Sequence, residues 1–298
     1  MRVLRVPHEI VVPGSIANLG PGLDTLGLAV GLYLRVRVTG IASDGRGRLN
    51  CRFSDGPIGG PNRIQQGYDA LPPGRRRLPS LDVEVQSDIP LRGGLGSSAA
   101  ATIAGIRLRA LVDGRRSGDE ILFAASKIEG HPDNAAASVF GGVTSCCSRA
   151  DGTIAVARWP WPAGWRVIVA TPRVELATAL SRRALPRKMP LGDAVFNLQH
   201  LALLLSALQT GKVADMREAL QDRAHQPYRE ALVPGLRRLL ALRHPDVIAT
   251  CLSGAGPTVA VFASRNARRV EDLVKAAYAS ERVPCMVRTV KVHREGDA

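Results

Sequence analysis

The sequence predicts a protein of mixed α and β structure, and three observations carry that expectation. Residues 32–39 (LYLRVRVT) and 81–86 (LDVEVQ) alternate apolar with charged or polar side chains at a period of two, the mark of half-buried strands. Ile103, Ile106, Ala110 and Leu111, and again Leu198, Leu201, Leu205 and Leu208, recur at the spacing of one helix face. Glycine- and proline-rich stretches separate these segments. With 298 residues, 45% hydrophobic and 22% charged, the chain can bury a real core and has the length of one large or two ordinary domains.

From the N-terminus, Val36 and Val38 face one side of the first strand and Arg35 and Arg37 the other, after which residues 40–62 read as a connection. Leu81, Val83 and Val85 define a second strand that runs into PLRGGLGSSAAA at residues 90–101, and the helical spacing that follows puts this glycine loop at a helix N-terminus. RWPWPAGW at 158–165 interrupts the pattern and reads as a domain boundary, its tryptophans packing the core or the domain junction. A strand, RVIVATP, follows, then the leucine-faced helix, then DVIATCLSGAGPTVAVFA at 246–263 as two apolar strands joined by a glycine turn.

Composition excludes several classes. The opening MRVLRVPHEIVV is broken by Arg2, Arg5, His8 and Glu9, unlike a signal peptide, and the uncharged run 194–211 holds Asn197, Gln199, His200 and Gln209, too polar for a bilayer span. Five scattered cysteines without CxxC spacing read as reduced thiols in a cytoplasm, with no zinc site. The net charge of +14 invites a nucleic-acid reading, but the arginines are dispersed, the one tight cluster (Arg75, Arg76, Arg77) follows a loop-like LPPG, and aromatics make up only 4%. No nucleic-acid or membrane partner is expected.

The glycine loop is the informative feature. Glycines let backbone approach a ligand, and the first N–H groups of a helix lack helical partners, so the loop offers converging donors to an anion. The helix dipole contributes only about 0.3–1 kcal/mol towards an exposed anion, so a triphosphate also needs a metal ion or basic side chains. Ser97 and Ser98 supply hydroxyls suited either to capping the helix or to ligating Mg²⁺. A Walker motif is excluded because no Lys precedes the hydroxyl residue. Gly94, Gly96 and Ala99 match GxGxxA, but Asp113 falls in the turn VDGRRSGD after the helical stretch rather than at the end of a following strand, against a dinucleotide fold.

Together with VPGSIANLGPGLDTLGLAV near the start and LSGAGPTVAVFA near the end, the loop resembles the three ordered motifs of the GHMP kinases, across nearly the whole chain. Within them, SIANLGPGLD, IEGHPDNAAASVFGG and HQPYRE look most like the homoserine kinases, which use ATP to phosphorylate the side-chain hydroxyl of L-homoserine for threonine synthesis. The resemblance implies an α+β, two-domain GHMP kinase fold. Residues 1–160 would form a ribosomal-protein-like ATP-binding domain and residues 161–298 a ferredoxin-like domain. It also implies ATP as co-substrate, Mg²⁺, a cytoplasmic location and a homodimer.

By the same resemblance the phosphates lie on Pro90, Leu91, Arg92, Gly93, Gly94, Leu95, Gly96, Ser97, Ser98, Ala99 and Ala100, with Asn62 near adenine and Ser98 at Mg²⁺. Asn62 and the serines equally suit helix caps. A zwitterionic substrate needs an acid for its ammonium and a forked Arg for its carboxylate. Asn18, Asp24, Asn134, Thr178, Arg182 and Arg229 occupy matching positions, with Asp24 assigned to the ammonium, Arg182 or Arg229 to the carboxylate, and Arg183 as an adjacent rival. Asp133 takes the place of the catalytic Asp of mevalonate-type relatives, although in-line phosphoryl transfer need not have a strong base. His131 beside it reads as a loop-structuring residue. Three departures stand out: Leu23 for a usual Phe, Leu180 for a common acid, and Lys127 where a metal-ligating Glu is expected; either Glu129 or water takes that role, or Lys127 contacts phosphate directly, or activity is weakened. A GHMP kinase for another alcohol and a nucleotide-binding relative without kinase activity are the alternatives.

Overall fold

The computed structural model describes residues 6–54, 56, 61–71, 78–114 and 116–297; the arginine cluster at 75–77 lies outside them. The N-terminal half runs β1 (His8–Ala17), β2 (Leu26–Ala42), β3 (Leu49–Phe53), α1 (Arg63–Asp69), β4 (Ser80–Ser87), α2 (Ser97–Asp113), α3 (Gly118–Glu129), α4 (Asp133–Phe140), β5 (Val143–Ser148) and β6 (Ile154–Trp159). Its strands form one sheet in the order β3-β4-β2-β5-β6, with β1 also paired to β2. The alternation in β4 does what its sequence demands: Leu81, Val83 and Val85 are buried, while Asp82, Glu84 and Gln86 face solvent. β3 corrects the sequence expectation of a plain connection over 40–62, because LNCRF pairs in parallel with β4 from Leu49 opposite Leu81 to Phe53 opposite Val85. Its register is set by a neighbouring strand, which no local pattern reveals.

The C-terminal half continues with β7 (Arg166–Pro172), α5 (Thr178–Arg183), α6 (Leu191–Thr210), α7 (Val213–Ala219), α8 (Gln226–Arg229), α9 (Leu236–Leu240), β8 (Val247–Leu252), β9 (Val259–Ala263), α10 (Ala267–Ser280) and β10 (Cys285–Val290). Its four strands lie in the order β10-β7-β9-β8, all antiparallel, the split arrangement of ferredoxin-like domains. Unbroken apolar runs such as VIVA follow from burial on both faces. Val167 and Val169 join the large core shared with the first sheet, whereas Ile168 and Ala170 join a second core under α9 and α10. Trp165, only 7% exposed, packs edge-on to Trp161, which also meets Phe262, so those tryptophans are packing residues.

Helix α6 departs from its expected face. Leu198 is 67% exposed, and the buried stripe is Asn197, His200, Leu204, Ala207 and Leu208. The polar members of that stripe are satisfied internally: Asn197 Nδ2 donates to Asp222 Oδ1 at 2.8 Å, and His200 contacts Phe196 O and Glu218. Among the described residues α6 is the one helix long and apolar enough to cross a membrane by length and composition, with a mean hydropathy of 1.3; a single such helix, with its polar residues partnered inside the protein, does not indicate a membrane protein.

Candidate active site

A cleft of about 230 Å³ opens where the N-terminus of α2 meets the turn between β8 and β9 and the segment leading into α5. The loop before α2 is built as an anion cradle. Its carbonyls are turned into the fold: Gly93 O accepts from Thr258 N, Gly94 O from Ser253 Oγ at 2.6 Å, and Leu95 O from Ser15 N at 3.0 Å. The amides of residues 94–99 make no hydrogen bond to the protein among the described residues, and the helix has no side-chain cap. The donors therefore face a site that only a ligand or water can satisfy.

Two glycines make that turn possible. Gly94 and Gly96 have φ of +77° and +71°; a Cβ on Gly94 would sit 2.6 Å from Gly256 O and 2.7 Å from Ser253 O, and one on Gly96 would collide with Ser15 Oγ. Gly94→Ala is accordingly expected to cost roughly 1–3 kcal/mol of stability, read as a lower denaturation midpoint, with activity lost in step. Of the expected phosphate residues, Arg92, Gly94, Gly96, Ser97, Ser98 and Ala99 line the cleft. Pro90, Leu91, Gly93, Leu95 and Ala100 do not; Gly93, Leu95 and Ala100 are buried behind the turn, and Leu91 is exposed. Asn62 also lies off the cleft lining: its Oδ1 caps α1 by accepting from Ile64 N and Gln65 N, and its Nδ2 reaches Cys51 Sγ.

Glu129, at the end of α3, reaches the same helix N-terminus. Its Oε1 accepts from Ser98 Oγ at 2.9 Å and Thr102 Oγ1 at 2.8 Å, while Oε2 makes no hydrogen bond to the protein among the described residues. A carboxylate and two hydroxyls facing a phosphate cradle form an oxygen donor set that suits a hard cation such as Mg²⁺. Lys127 is elsewhere: exposed on α3, its Nζ sits 4.3 Å from the centre of the Phe123 ring. Two residues along a helix are about 200° apart, so Glu129 and Lys127 cannot share a face. The expected conflict at Lys127 is therefore absent from the cleft. Lys127→Ala should leave Mg²⁺ affinity unchanged and cost at most about 1 kcal/mol through the lost cation–π contact.

Opposite the cradle lies the polar end of the cleft. Asn18, Leu19 and Asp24 adopt left-handed φ of 74°, 45° and 53°, unusual for residues with side chains. Asn18, buried, holds this turn: its Oδ1 accepts from Asp24 N at 3.1 Å and its Nδ2 donates to Gly254 O at 3.0 Å. Asp24 and Arg182 form a two-pronged ion pair, 2.6 and 3.1 Å, each about 40% exposed, and the hydrogen bond to Asp24 raises the Arg182 pKa. The helical geometry of α5 puts Thr178 and Arg182 on the cleft together, as their spacing suggests. Arg183 is not among the cleft residues. Leu180 is exposed, 42%, and away from the lining.

Arg229 enters from beneath. It is 2% exposed, and burial, followed by Arg182, pulls its pKa down to about 10, which leaves it cationic at neutral pH. Asp133, at the start of α4 and 1% exposed, accepts from Asn134 N at 2.7 Å and contacts His131 Nδ1 at 2.5 Å. Burial opposes the charged form of His131, but the hydrogen bond and charge of Asp133 outweigh it and raise the pKa above the ordinary 6.5. Asn134 Oδ1 accepts from Ser15 Oγ at 2.8 Å, which ties α4 to β1. Ligand atoms of Asp24, His131 and Asp133 lie within 4.8 Å of one another, so SIANLGPGLD and IEGHPDN converge on one end of the cleft.

Sequence reasoning missed Thr102, Arg63, the Gly254–Gly256 wall and Ser15. A hydroxyl one helical turn after Ser98 was the available signal for Thr102; Ser15 and Gly254–Gly256 lay inside quoted motifs, and only Arg63 had no signal in the sequence.

The fold and the cradle define a class that sequence comparison bears out. The GHMP kinases N terminal domain model matches residues 62–142, and the GHMP kinases C terminal model matches residues 204–280. The chain belongs to the GHMP kinases. Homoserine kinase of Solibacter usitatus is 40% identical over 289 residues, 94% of each chain, and a homoserine kinase of Thermus thermophilus is 41% identical over 266 residues, 86% of each. In three dimensions the crystal structure of homoserine kinase from Cytophaga hutchinsonii, 24% identical, superposes with a TM-score of 0.84 over 99% of this chain and 98% of that one, which supports the fold. The two-domain α+β expectation is thus met.

Proposed function

We propose that this chain is an ATP-dependent kinase that transfers the γ-phosphoryl group to the side-chain hydroxyl of L-homoserine, giving O-phospho-L-homoserine and ADP. One observation carries the reading: a row of unpartnered amides at the start of α2 faces, across one cleft, a paired carboxylate and guanidinium, Asp24 and Arg182. The first suits phosphates, the second a zwitterion.

The Asp24–Arg182 pair occupies the place that the two charged ends of homoserine would take. An exposed ion pair is worth only about 0–1 kcal/mol, so opening it costs little, and the substrate's ammonium and carboxylate replace each partner. Arg229 adds a second cation beneath, with Asn18, Asn134 and Thr178 as neutral polar neighbours. Mg²⁺, held by Glu129 and Ser98, would neutralise charge on the phosphates. Transfer then depends on holding the hydroxyl in line with the cradle and needs no strong base. Asp133 is engaged by His131 and Asn134 N, so its role in this reading is to orient that wall rather than to accept the substrate proton.

We place the domain boundary near residue 160, with 1–160 carrying ATP and 161–298 forming the ferredoxin-like half; the change of sheet between β6 and β7 supports it. The partners in this reading are ATP and L-homoserine in a cytoplasmic biosynthetic setting. Lys127 is the residue that argued for a nucleotide-binding relative without activity, and its position outside the cleft removes that argument. A coupled ADP-release assay across L-homoserine, L-serine, mevalonate and galactose tests the proposal. Turnover selective for L-homoserine is expected; equal or greater turnover of mevalonate or galactose would replace it with another alcohol kinase.

A further inference from the structure

HQPYRE enters the site above through Arg229 alone, yet its first residue is placed just as deeply. His225 is fully buried, and its two ring nitrogens join two walls of the cleft. Nε2 lies 2.8 Å from Gly20 O, in the turn that carries Asn18 and Asp24, and Nδ1 lies 3.1 Å from Arg229 Nη1. A carbonyl only accepts and a guanidinium only donates, so one form satisfies both: neutral, with the proton on Nε2 and the lone pair on Nδ1. Burial, the largest influence, and the charge of Arg229 lower the His225 pKa and favour that neutral form, against the opposing pull of Asp222 and Asp24.

The surroundings fix the ring and its partners. Asp222 accepts from the backbone N–H of Ala224, His225 and Gln226 at 2.7, 2.9 and 2.6 Å, and its Oδ2 is 3.5 Å from Nε2. Arg229 directs its other donors to Gly254 O at 3.0 Å and Ser181 O at 3.4 Å, so Nη2 alone has no hydrogen bond to the protein among the described residues. Gly254 O also receives Asn18 Nδ2. Guanidinium, acidic turn and glycine wall thus share one buried network with His225 at its centre.

We propose that His225 is a positioning residue for substrate recognition: it holds the Arg229 fork and the Asp24 turn in one register, so that both charged ends of an amino-acid substrate are met at a fixed separation. The proposal rests on the homoserine reading above. His225→Gln places an amide nitrogen near the Nε2 position and keeps the Gly20 contact while losing Arg229; His225→Asn places an oxygen near the Nδ1 position and keeps Arg229 while losing Gly20. Each is expected to raise KM for L-homoserine roughly tenfold, with KM for ATP within about twofold. The two should differ towards 3-amino-1-propanol, homoserine without its carboxylate, used as a competitive inhibitor: its Ki should rise in the Asn variant and stay unchanged in the Gln variant.

Equal changes in both substrates' KM, or a lowered Tm with no change in either KM, would reduce His225 to a scaffold residue and overturn the proposal. Should the variants fail to fold, nitrogen-15 NMR of the histidine-labelled wild type reads the tautomer directly. Nε2–H at neutral pH is expected, and Nδ1–H or a doubly protonated ring overturns the network. A wild type inactive on L-homoserine sinks the substrate reading itself, whereas an active wild type with unaffected variants sinks only this inference.

Discussion

Asp24→Asn is expected to lower kcat/KM for L-homoserine by roughly 10- to 100-fold, the equivalent of one charge-assisted hydrogen bond of about 1.5–3 kcal/mol, with KM for ATP within about twofold. The substitution is informative because it leaves the turn in place. Asn18 Oδ1 holds Asp24 through its backbone N–H, which an Asn at that position keeps. What disappears is the negative charge that faces Arg182 and, in the proposed complex, the substrate ammonium. Arg182 would then lack its anion in the free enzyme and present an unpaired cation to the substrate carboxylate, so part of the loss returns as tighter binding of that end. Steady-state kinetics in both substrates decide it. A matched loss for ATP and homoserine would mean that Asp24 organises the cleft as a whole.

Glu129→Gln should reduce turnover at fixed Mg²⁺ by roughly 10²- to 10³-fold and raise the Mg²⁺ concentration for half-maximal rate. A unit charge about 4 Å away at an effective dielectric of about 20 is worth roughly 4 kcal/mol, an upper guide to what removing the carboxylate forfeits. The amide oxygen can still accept from Ser98 and Thr102, the contacts that Glu129 makes in the free protein, so the thermal midpoint should move little. Measuring both separates the roles. A stable variant with an unchanged Mg²⁺ titration would remove Glu129 from the metal and leave it as the brace between α3 and α2.

These two residues were unequally legible. Asp24 is marked by its own surroundings, a glycine- and proline-rich turn with an acid in it. Glu129 was overshadowed by Lys127, because counting along SKIEGHPDN does not tell which side of α3 meets the cleft; the helix phase, with Lys127 on Phe123 and Glu129 on Ser98, does. Asn62 was open to two roles in the sequence, adenine contact or helix cap, and in the structure its side chain caps its own helix. Likewise the leucines of α6 promised an apolar stripe, and the buried face instead carries Asn197 and His200, which only partners on α7 and before α8 make tolerable.

By itself the sequence determined what is local: strand alternation in β2 and β4, the glycine loop opening α2, the apolar strand pair near the C-terminus, and the motif order that marks a GHMP kinase. Such features depend on neighbours within a few residues, where backbone periodicity and left-handed glycines leave a readable pattern. Only the tertiary structure decided what those pieces face. Ser98 meets Glu129 across 31 positions, Ser15 meets Asn134 across 119, Asp24 meets Arg182 across 158, and Gly20 meets His225 across 205. Such pairings are made by burying two sheets against shared cores, and hydrophobic burial is non-directional, so no single stretch of chain encodes which polar groups it will bring into reach.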